Sequence, residues 1–355
     1  HRVDRRQRQM CIRDRRFCKS AADADLILIA DTGSTDQTVA KAKECGADVH
    51  NIFISPWRFD HARNAALALV PADIDVCVSL DLDEVLNTGW REEIERVWKD
   101  GTTRLRYMYD WGKGLIFKYE KIHARKGYEW HHPCHEYPRP VVGVEESWAD
   151  TNLLLVSHYP DDTKSRASYL PLLELSVKED PRCPRNAFYY ARELYFHSQY
   201  WAAITALENY LAMPEANWSV ERGYAYRVMG KCYEAVGMPV QAESAFLRAC
   251  AEDASIRCPW YALAGFYYRR GDWFGCWNAA KRALSISVRN MDYTVETDAW
   301  GAPLHDLAAI AAHHLGMRDA AIFHGGEAVK LSPDDQRLKN NLEFYVGDAF
   351  VPEAA

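Results

Sequence analysis

Val76-Cys77-Val78-Ser79-Leu80-Asp81-Leu82-Asp83-Glu84 is the stretch on which the reading of this chain turns. A short apolar run ends in three carboxylates. Residues 81 and 83 share one face of an extended chain, and past a strand end the chain can turn so that both converge. Two such carboxylates can hold Mg²⁺ or Mn²⁺, which prefer oxygen donors and commonly share a site with substrate phosphates. Open α/β sheets bind ligands beyond the carboxyl ends of their strands, where the apolar run puts this D-x-D. A solvated acidic loop is the alternative.

The same layout occurs upstream. Leu26-Ile27-Leu28-Ile29-Ala30 is a continuous apolar run suited to a buried parallel strand. Asp31-Thr32-Gly33-Ser34-Thr35-Asp36 follows it. Gly33 permits a tight turn, Asp36 is a candidate N-cap for a helix from Gln37, and Asp31 would sit at the strand tip with a free carboxylate. Ordinary turn and capping chemistry also accounts for Gly33, Ser34 and Asp36, but not for the recurrence at Asp81. Together the two stretches suggest an enzyme that handles a metal-bound nucleotide diphosphate.

Asp31–Thr38, then Trp57-Arg58-Phe59-Asp60-His61-Ala62-Arg63-Asn64-Ala65-Ala66-Leu67, then Leu80–Leu86 resemble family 2 glycosyltransferases in order and spacing. The resemblance covers roughly residues 17–160 and implies an α/β GT-A (Rossmann-like) nucleotide-sugar domain. By that resemblance Asp31, Gly33, Ser34, Arg63 and Asp81 contact the nucleotide sugar. Asp83 binds Mn²⁺ or Mg²⁺, with Asp81 on ribose or metal. The segment after the D-x-D strand brings Glu136, with His135 beside it, to the acceptor side as general base. His158, ending the apolar run Leu153–Val156, is the late histidine on the metal. Inverting transfer follows from the resemblance alone. Within Trp130–Glu136 three histidines and a cysteine also raise zinc, but their spacing fits no standard zinc pattern.

Family members open with a further strand and helix ahead of the D-T-G-S motif, so the first strand is expected to be missing here. Residues 1–16 hold seven arginines and no apolar period. They read as foreign or disordered sequence; a basic arm for an anionic partner is the alternative.

From residue 184 a repeat emerges. Ala191, Gly230, Ala264 and Ala309 share one small-residue position. Three residues on lie Leu194, Tyr233, Tyr267 and Ala312; seven on, at a turn position, Ser198, Gly237, Gly271 and Gly316; twelve on, Ala203, Ala242, Cys276 and Ala321. The pattern resembles tetratricopeptide repeats, with irregular spacing that implies longer loops such as Val288–Ala302. A generic helical bundle is the alternative. Expected boundaries are a linker helix over 161–183, repeats over 184–345 and a tail over 346–355. Tyr189, Tyr226, Trp260 and Tyr268 are candidate groove aromatics for a docked acceptor.

A chain of 355 residues with 48% hydrophobic content suits two globular domains. A net charge of −7 argues against general nucleic-acid binding, and no apolar run reaches membrane-spanning length. The ten cysteines form no C-x-x-C pair and read as reduced core thiols of a cytoplasmic protein. The functional expectation is a metal-dependent, inverting transferase that moves a sugar from a nucleotide diphosphate sugar to a peptide, protein or glycan docked by the repeats. It resembles bacterial peptide glycosyltransferases of the sublancin S-glycosyltransferase type. The alternatives are a repeat scaffold with a decayed transferase domain, or a nucleotidyltransferase.

Overall fold

The computed structural model describes residues 15–160 and 169–347. Expectations for residues 1–14, 161–168 and 348–355 lie outside these. The chain divides into two compact units, one ending at Glu179 and one beginning at Asp180.

The first unit opens with a helix over residues 15–20 (α1). Its Ser20 carbonyl accepts from the Trp90 indole at 2.9 Å, and its hydroxyl accepts from the Leu86 amide at 3.2 Å. Residues 15 and 16, assigned by sequence to a foreign or disordered arm, belong to this helix. The Arg16 guanidinium lies 4.3 Å over the Tyr159 ring.

β1 (Leu28–Asp31) pairs in parallel with β2 (Asp48–Asn51), joined by α2 (Thr38–Glu44). The parallel pairing agrees with the apolar run, but β1 is mostly half-buried, because a two-stranded ribbon leaves much of its surface open. Asp36 accepts from the Thr38 amide at 2.9 Å, so it serves the helix start one residue later than expected.

After α3 (Phe59–Leu69) come β3 (Val76–Val78), β4 (Glu84–Leu86), α4 (Trp90–Val97), β5 (Arg104–Gly112), β6 (Leu115–Ala124), β7 (Tyr128–His131), β8 (Tyr137–Pro140) and β9 (Trp148–His158). Five of these strands form a sheet in the order β3-β6-β5-β9-β4, with β7-β8 as a separate hairpin. Only β5–β9 is parallel within the five. The implied Rossmann-like sheet is thus not a single sheet here. β5 and β6 meet as a hairpin through Lys113 and Gly114, both at positive φ, which forces antiparallel pairing. The buried side of the five-stranded sheet carries Leu105, Tyr107, Tyr109, Ile122, Leu154 and Val156.

α5 (Tyr169–Glu179) is the described part of the expected linker helix. It belongs to the first unit: Glu179 pairs with Arg58 at 2.6 Å, and Tyr169 lies 6.1 Å from the Phe59 ring.

The second unit is helical: α6 (Pro184–Phe196), α7 (Tyr200–Ala212), α8 (Ser219–Ala235), α9 (Pro239–Glu252), α10 (Arg257–Arg269), α11 (Trp273–Leu284), a 3₁₀ turn (Thr297–Trp300), α12 (Ala302–His314), α13 (Arg318–Leu331) and α14 (Gln336–Val346). Four hairpins are joined by the predicted turn residues. Ser198, Gly237, Gly271 and Gly316 all adopt left-handed φ, from +57° to +77°. In each turn the next amide returns to the carbonyl five residues earlier: Gln199 to Leu194, Met238 to Tyr233, Asp272 to Tyr267, Met317 to Ala312. This is the Schellman closure of a helix end. Ala191, Ala264, Ala309, Ala203, Ala242, Cys276 and Ala321 are fully buried. The unit is therefore a tetratricopeptide-like array of helix pairs with a final helix. First helices of successive pairs pack on one another, whereas second helices of successive pairs share at most marginal contact. The first helices α6, α8, α10 and α12 accordingly form the inner face.

The nine cysteines among the described residues form no disulfide. Burial pushes the thiols of Cys232, Cys250 and Cys276 up to about 12, so they are inert packing groups. Among the described residues no helix is long and apolar enough to cross a membrane.

Candidate functional site

The predicted site residues of the first unit lie at the end of β1 and in the turn after it, on α3, in the β3–β4 turn, in the β7–β8 loop and at the end of β9. Asn64 on α3 clamps β7: its amide donates to the Trp130 carbonyl and its carbonyl accepts from the Trp130 amide, both at 2.8 Å. The Phe59 amide at the start of α3 donates to Pro133 at 3.0 Å. The loop so held contains His132 and His135 at φ +81° and +54°, an uncommon conformation for residues with a Cβ. Glu136 follows directly.

Arg63 is the hub. Its Nη2 donates to Asp81 Oδ1 at 2.5 Å, its Nε to Glu136 Oε1 at 3.0 Å and its Nη1 to the Leu80 carbonyl at 3.3 Å. The guanidinium lies 5.2 Å from the Trp130 ring centre. On the other side of Asp81, Lys121 Nζ from β6 sits 3.3 Å from Asp81 Oδ2 and 3.1 Å from Glu84 Oε1. The Tyr109 hydroxyl donates to Glu84 Oε1 at 2.8 Å, and the Asp81 amide donates to Glu84 Oε2 at 2.8 Å. The result is a continuous chain, Glu136–Arg63–Asp81–Lys121–Glu84–Tyr109.

Its electrostatics follow from burial and sign. Burial pushes the Asp81 carboxyl up, but Arg63 and Lys121 outweigh it and hold the group well below the usual carboxylate range. Glu84 is only 1% exposed. Burial raises it, the Asp81 charge adds to that, and Lys121 offsets part. Lys121 is held far above its ordinary value, because Asp81 and Glu84 outweigh its own desolvation. Asp81 keeps half of its side-chain surface exposed, so the network ends in an accessible, firmly ionised carboxylate.

Asp83 goes elsewhere. The Glu84 amide donates to the Asp81 carbonyl at 2.9 Å, closing a turn that separates the two aspartates. Strand-like convergence of both on one cation is therefore not present. Asp83 Oδ2 instead stands 3.8 Å from His158 Nε2, with the two side chains 14% and 12% exposed. The pairing of β4 with β9, which sets Glu84 opposite His158, brings them together. The His158 ring lies 4.6 Å from the Trp111 ring, and its Nδ1 is buried with no hydrogen-bond partner among the described residues. His135 lies 6.0 Å from the Tyr169 ring.

Asp31 differs from expectation. Its carboxylate is not free at the strand tip; it accepts from the amides of Gly33 and Ser34 at 3.1–3.2 Å. Burial raises its pKa, but the Ser34 and Gly33 hydrogen bonds outweigh this and leave it lowered. The structure thus joins Arg63, Asp81 and Glu136 in one network and Asp83 with His158 in another, while the Asp31 turn bonds to itself.

Sequence reading missed Glu84, Lys121 and Tyr109 as network members. Glu84 adjoins the D-x-D, which is a signal. Lys121 joins through the β3–β6 pairing and Tyr109 through the β5–β9 and β4–β9 pairings, which one sequence does not reveal.

In the helical unit the predicted groove aromatics separate. Tyr189 is buried, stacking at 5.9 Å on Tyr293. Tyr226 lines a cleft of about 450 Å³ with Glu208, Met229, Tyr233 and Arg248. Trp260 is half-buried and donates to the Ala254 carbonyl at 3.2 Å; Tyr268 is exposed. The connection between α11 and the 3₁₀ turn returns across the inner face and contacts α6, α8 and α10.

No protein-family model matches the chain, and no curated protein matches it. Solved structures that resemble it are helical-repeat proteins. A tetratricopeptide repeat protein of Thermus thermophilus is 17% identical over 51% of this chain and 90% of its own, with a TM-score of 0.37. YrrB, described as a repeat protein with an unusual peptide-binding site, is 15% identical over 49% and 81%, at 0.39. MamA is 16% identical over 49% and 96%, at 0.39. These likenesses are too loose to carry an argument about function; the repeat reading rests on the helix hairpins themselves.

Proposed function

We propose that the first unit is a metal-dependent, inverting glycosyltransferase domain of GT-A type. It would take a sugar from a nucleotide diphosphate sugar to a peptide, protein or glycan acceptor. The observation that supports this most is the proximity of Asp83 and His158 beside the Arg63–Asp81 network. Their 3.8 Å separation, Asp83 Oδ2 to His158 Nε2, is too long for a hydrogen bond, and Nε2 is the nitrogen that would face a shared cation. A carboxylate and an imidazole so disposed suit a divalent cation, Mn²⁺ better than Mg²⁺, which prefers oxygen donors alone. Held there, that cation would neutralise charge on the departing diphosphate.

The remaining roles belong to the chain's own groups. Asp81, ionised and half-exposed, would accept hydrogen bonds from ribose hydroxyls. Arg63 fixes Asp81 and Glu136 at a set separation. Glu136 would take the acceptor proton as general base. Its Oε1 is engaged by Arg63, so that proton would go to Oε2. The Asp31 carboxylate, oriented by the Gly33 and Ser34 amides, would contact the nucleobase or ribose.

A second reading is supported by the helical array: a repeat scaffold whose first unit is catalytically silent. The deciding experiment is donor hydrolysis with a panel of sugar nucleotides. Release of the nucleoside diphosphate that requires Mn²⁺ and is lost in Asp83→Ala supports the transferase. Release of pyrophosphate from a nucleoside triphosphate supplied together with a sugar 1-phosphate points to a nucleotidyltransferase, and no release from any of these substrates favours the scaffold.

A further inference from the structure

Residues 285–301 join α11 to α12 and contain only the short 3₁₀ turn. Residues 292–297 do not loop out into solvent. Tyr293 stacks on Tyr189 of α6, lies 5.9 Å from the Trp218 ring and donates its hydroxyl to Glu221 of α8. The Thr294 carbonyl accepts from Arg227 of α8 at 2.7 Å. The Glu296 carboxylate meets Arg227 at 3.1 Å and Lys231 at 2.9 Å. Its amide donates to Cys258 Sγ of α10 at 3.3 Å, and Arg257 of α10 donates to the Ala299 carbonyl at 3.3 Å. Thr294 and Val295 are buried. One segment therefore touches the first helices of three successive repeats through an aromatic ring and, three residues later, a carboxylate.

The helices supply the complement. Arg227 is only 1% exposed yet carries its charge, which Glu296 balances. Without the segment, Arg227 and Lys231 would stand one helical turn apart on α8 as an unbalanced cationic pair. Tyr189 and Trp218 would leave an open aromatic slot beside it. A slot plus a cationic pair recognises an aromatic residue followed at the third position by a carboxylate. We infer that the inner face of α6, α8 and α10 is a binding site for an extended peptide of the form aromatic-x-x-Glu. Tyr293-Thr294-Val295-Glu296 is its resident occupant, and an external partner carrying that pattern competes for the same place. The inference does not depend on the transferase reading.

The test uses the full chain and a fluorescent peptide of residues 287–298. Replacing residues 287–298 by a Gly/Ser linker of equal length empties the face. The double variant Tyr293→Phe, Glu296→Gln removes the hydroxyl and the charge with little change of shape. Expected are one-to-one binding to the linker variant and at least ten-fold tighter binding to the double variant than to the parent chain. A peptide with Tyr293→Ala and Glu296→Gln should bind at least ten-fold more weakly. If the linker variant does not fold, the double variant decides alone. Equal binding, or none, to the parent and a cooperatively melting double variant overturns the inference. So does indifference to the peptide's Tyr and Glu.

Discussion

At the residue scale, Gly230 shows how closely the array is packed. A Cβ there would lie 2.8–2.9 Å from the ring of Phe246, itself fully buried. Alanine helps a helix interior by about 1 kcal/mol, but overpacking a filled core costs about 1–3 kcal/mol. Gly230→Ala is expected to lose about 1 kcal/mol net in urea unfolding, although alanine occupies the same position at 191, 264 and 309. A gain would mean that Phe246 moves aside. His123 carries a pH dependence of its own. Burial pushes its imidazole down to about 4 from an ordinary 6.5, and its Nε2 has no hydrogen-bond partner among the described residues. The folded state therefore holds it neutral while the unfolded chain takes up a proton. Its contribution is full above pH 6.5 and is lost as pH falls towards 4, about 3 kcal/mol in all. Urea melts at pH 7, 5.5 and 4 should show this loss, and His123→Leu should flatten it. An unchanged acid slope in the variant would remove His123 from the account.

At the element scale, the hairpin turns were legible and the cross-sheet network was not, for physical reasons. A left-handed residue selects glycine, so Gly237, Gly271 and Gly316 announced the turns from sequence, with Ser198 as the strained member. Small residues seven positions before these turns marked close helix approach. Gly237 sits at φ +77°, and Gly237→Ala should cost about 1–2 kcal/mol, since a Cβ there meets the following carbonyl. Thermal unfolding checks this; an unchanged midpoint would mean the turn relaxes to another closure. The strands before Asp31 and Asp81 were likewise readable from their apolar runs, as β1 and β3 show. Their partners were not. Lys121 reaches Asp81 and Glu84 only because β3 and β5 both pair with β6, and Tyr109 reaches Glu84 across the same sheet. The segment 285–301 gave no periodic signal at all. Only its length stood out, and its seat on the inner face came from three-dimensional contacts.

At the scale of the whole molecule, a mixed sheet carrying an Arg–Asp–Lys–Glu network precedes an array of helix pairs whose inner face is filled by its own chain. The site residues picked from sequence were brought together in part. Arg63, Asp81 and Glu136 share one network, and Asp83 and His158 are neighbours. The Asp31 turn closes on itself, and one turn parts the two aspartates of the D-x-D. That division sets distinct expectations for the two. Asp81→Ala should weaken nucleotide binding and also release Arg63 and Lys121, lowering the stability of the first unit. Asp83→Ala should remove the metal dependence while leaving the fold intact. Circular dichroism and urea melts of both variants separate these outcomes; equal destabilisation by the two would contradict the division.

The central claim is that Asp83 and His158 belong to a metal-dependent nucleotide site. Titration calorimetry with a panel of nucleoside diphosphates, with and without Mn²⁺, on the parent chain and on Asp83→Ala, tests it most directly. The account predicts that at least one nucleoside diphosphate binds the parent with Mn²⁺, and binds at least a hundred-fold more weakly without metal or to Asp83→Ala. Binding unaffected by Mn²⁺ and by the substitution, or no binding across the panel to a folded parent chain, would contradict it.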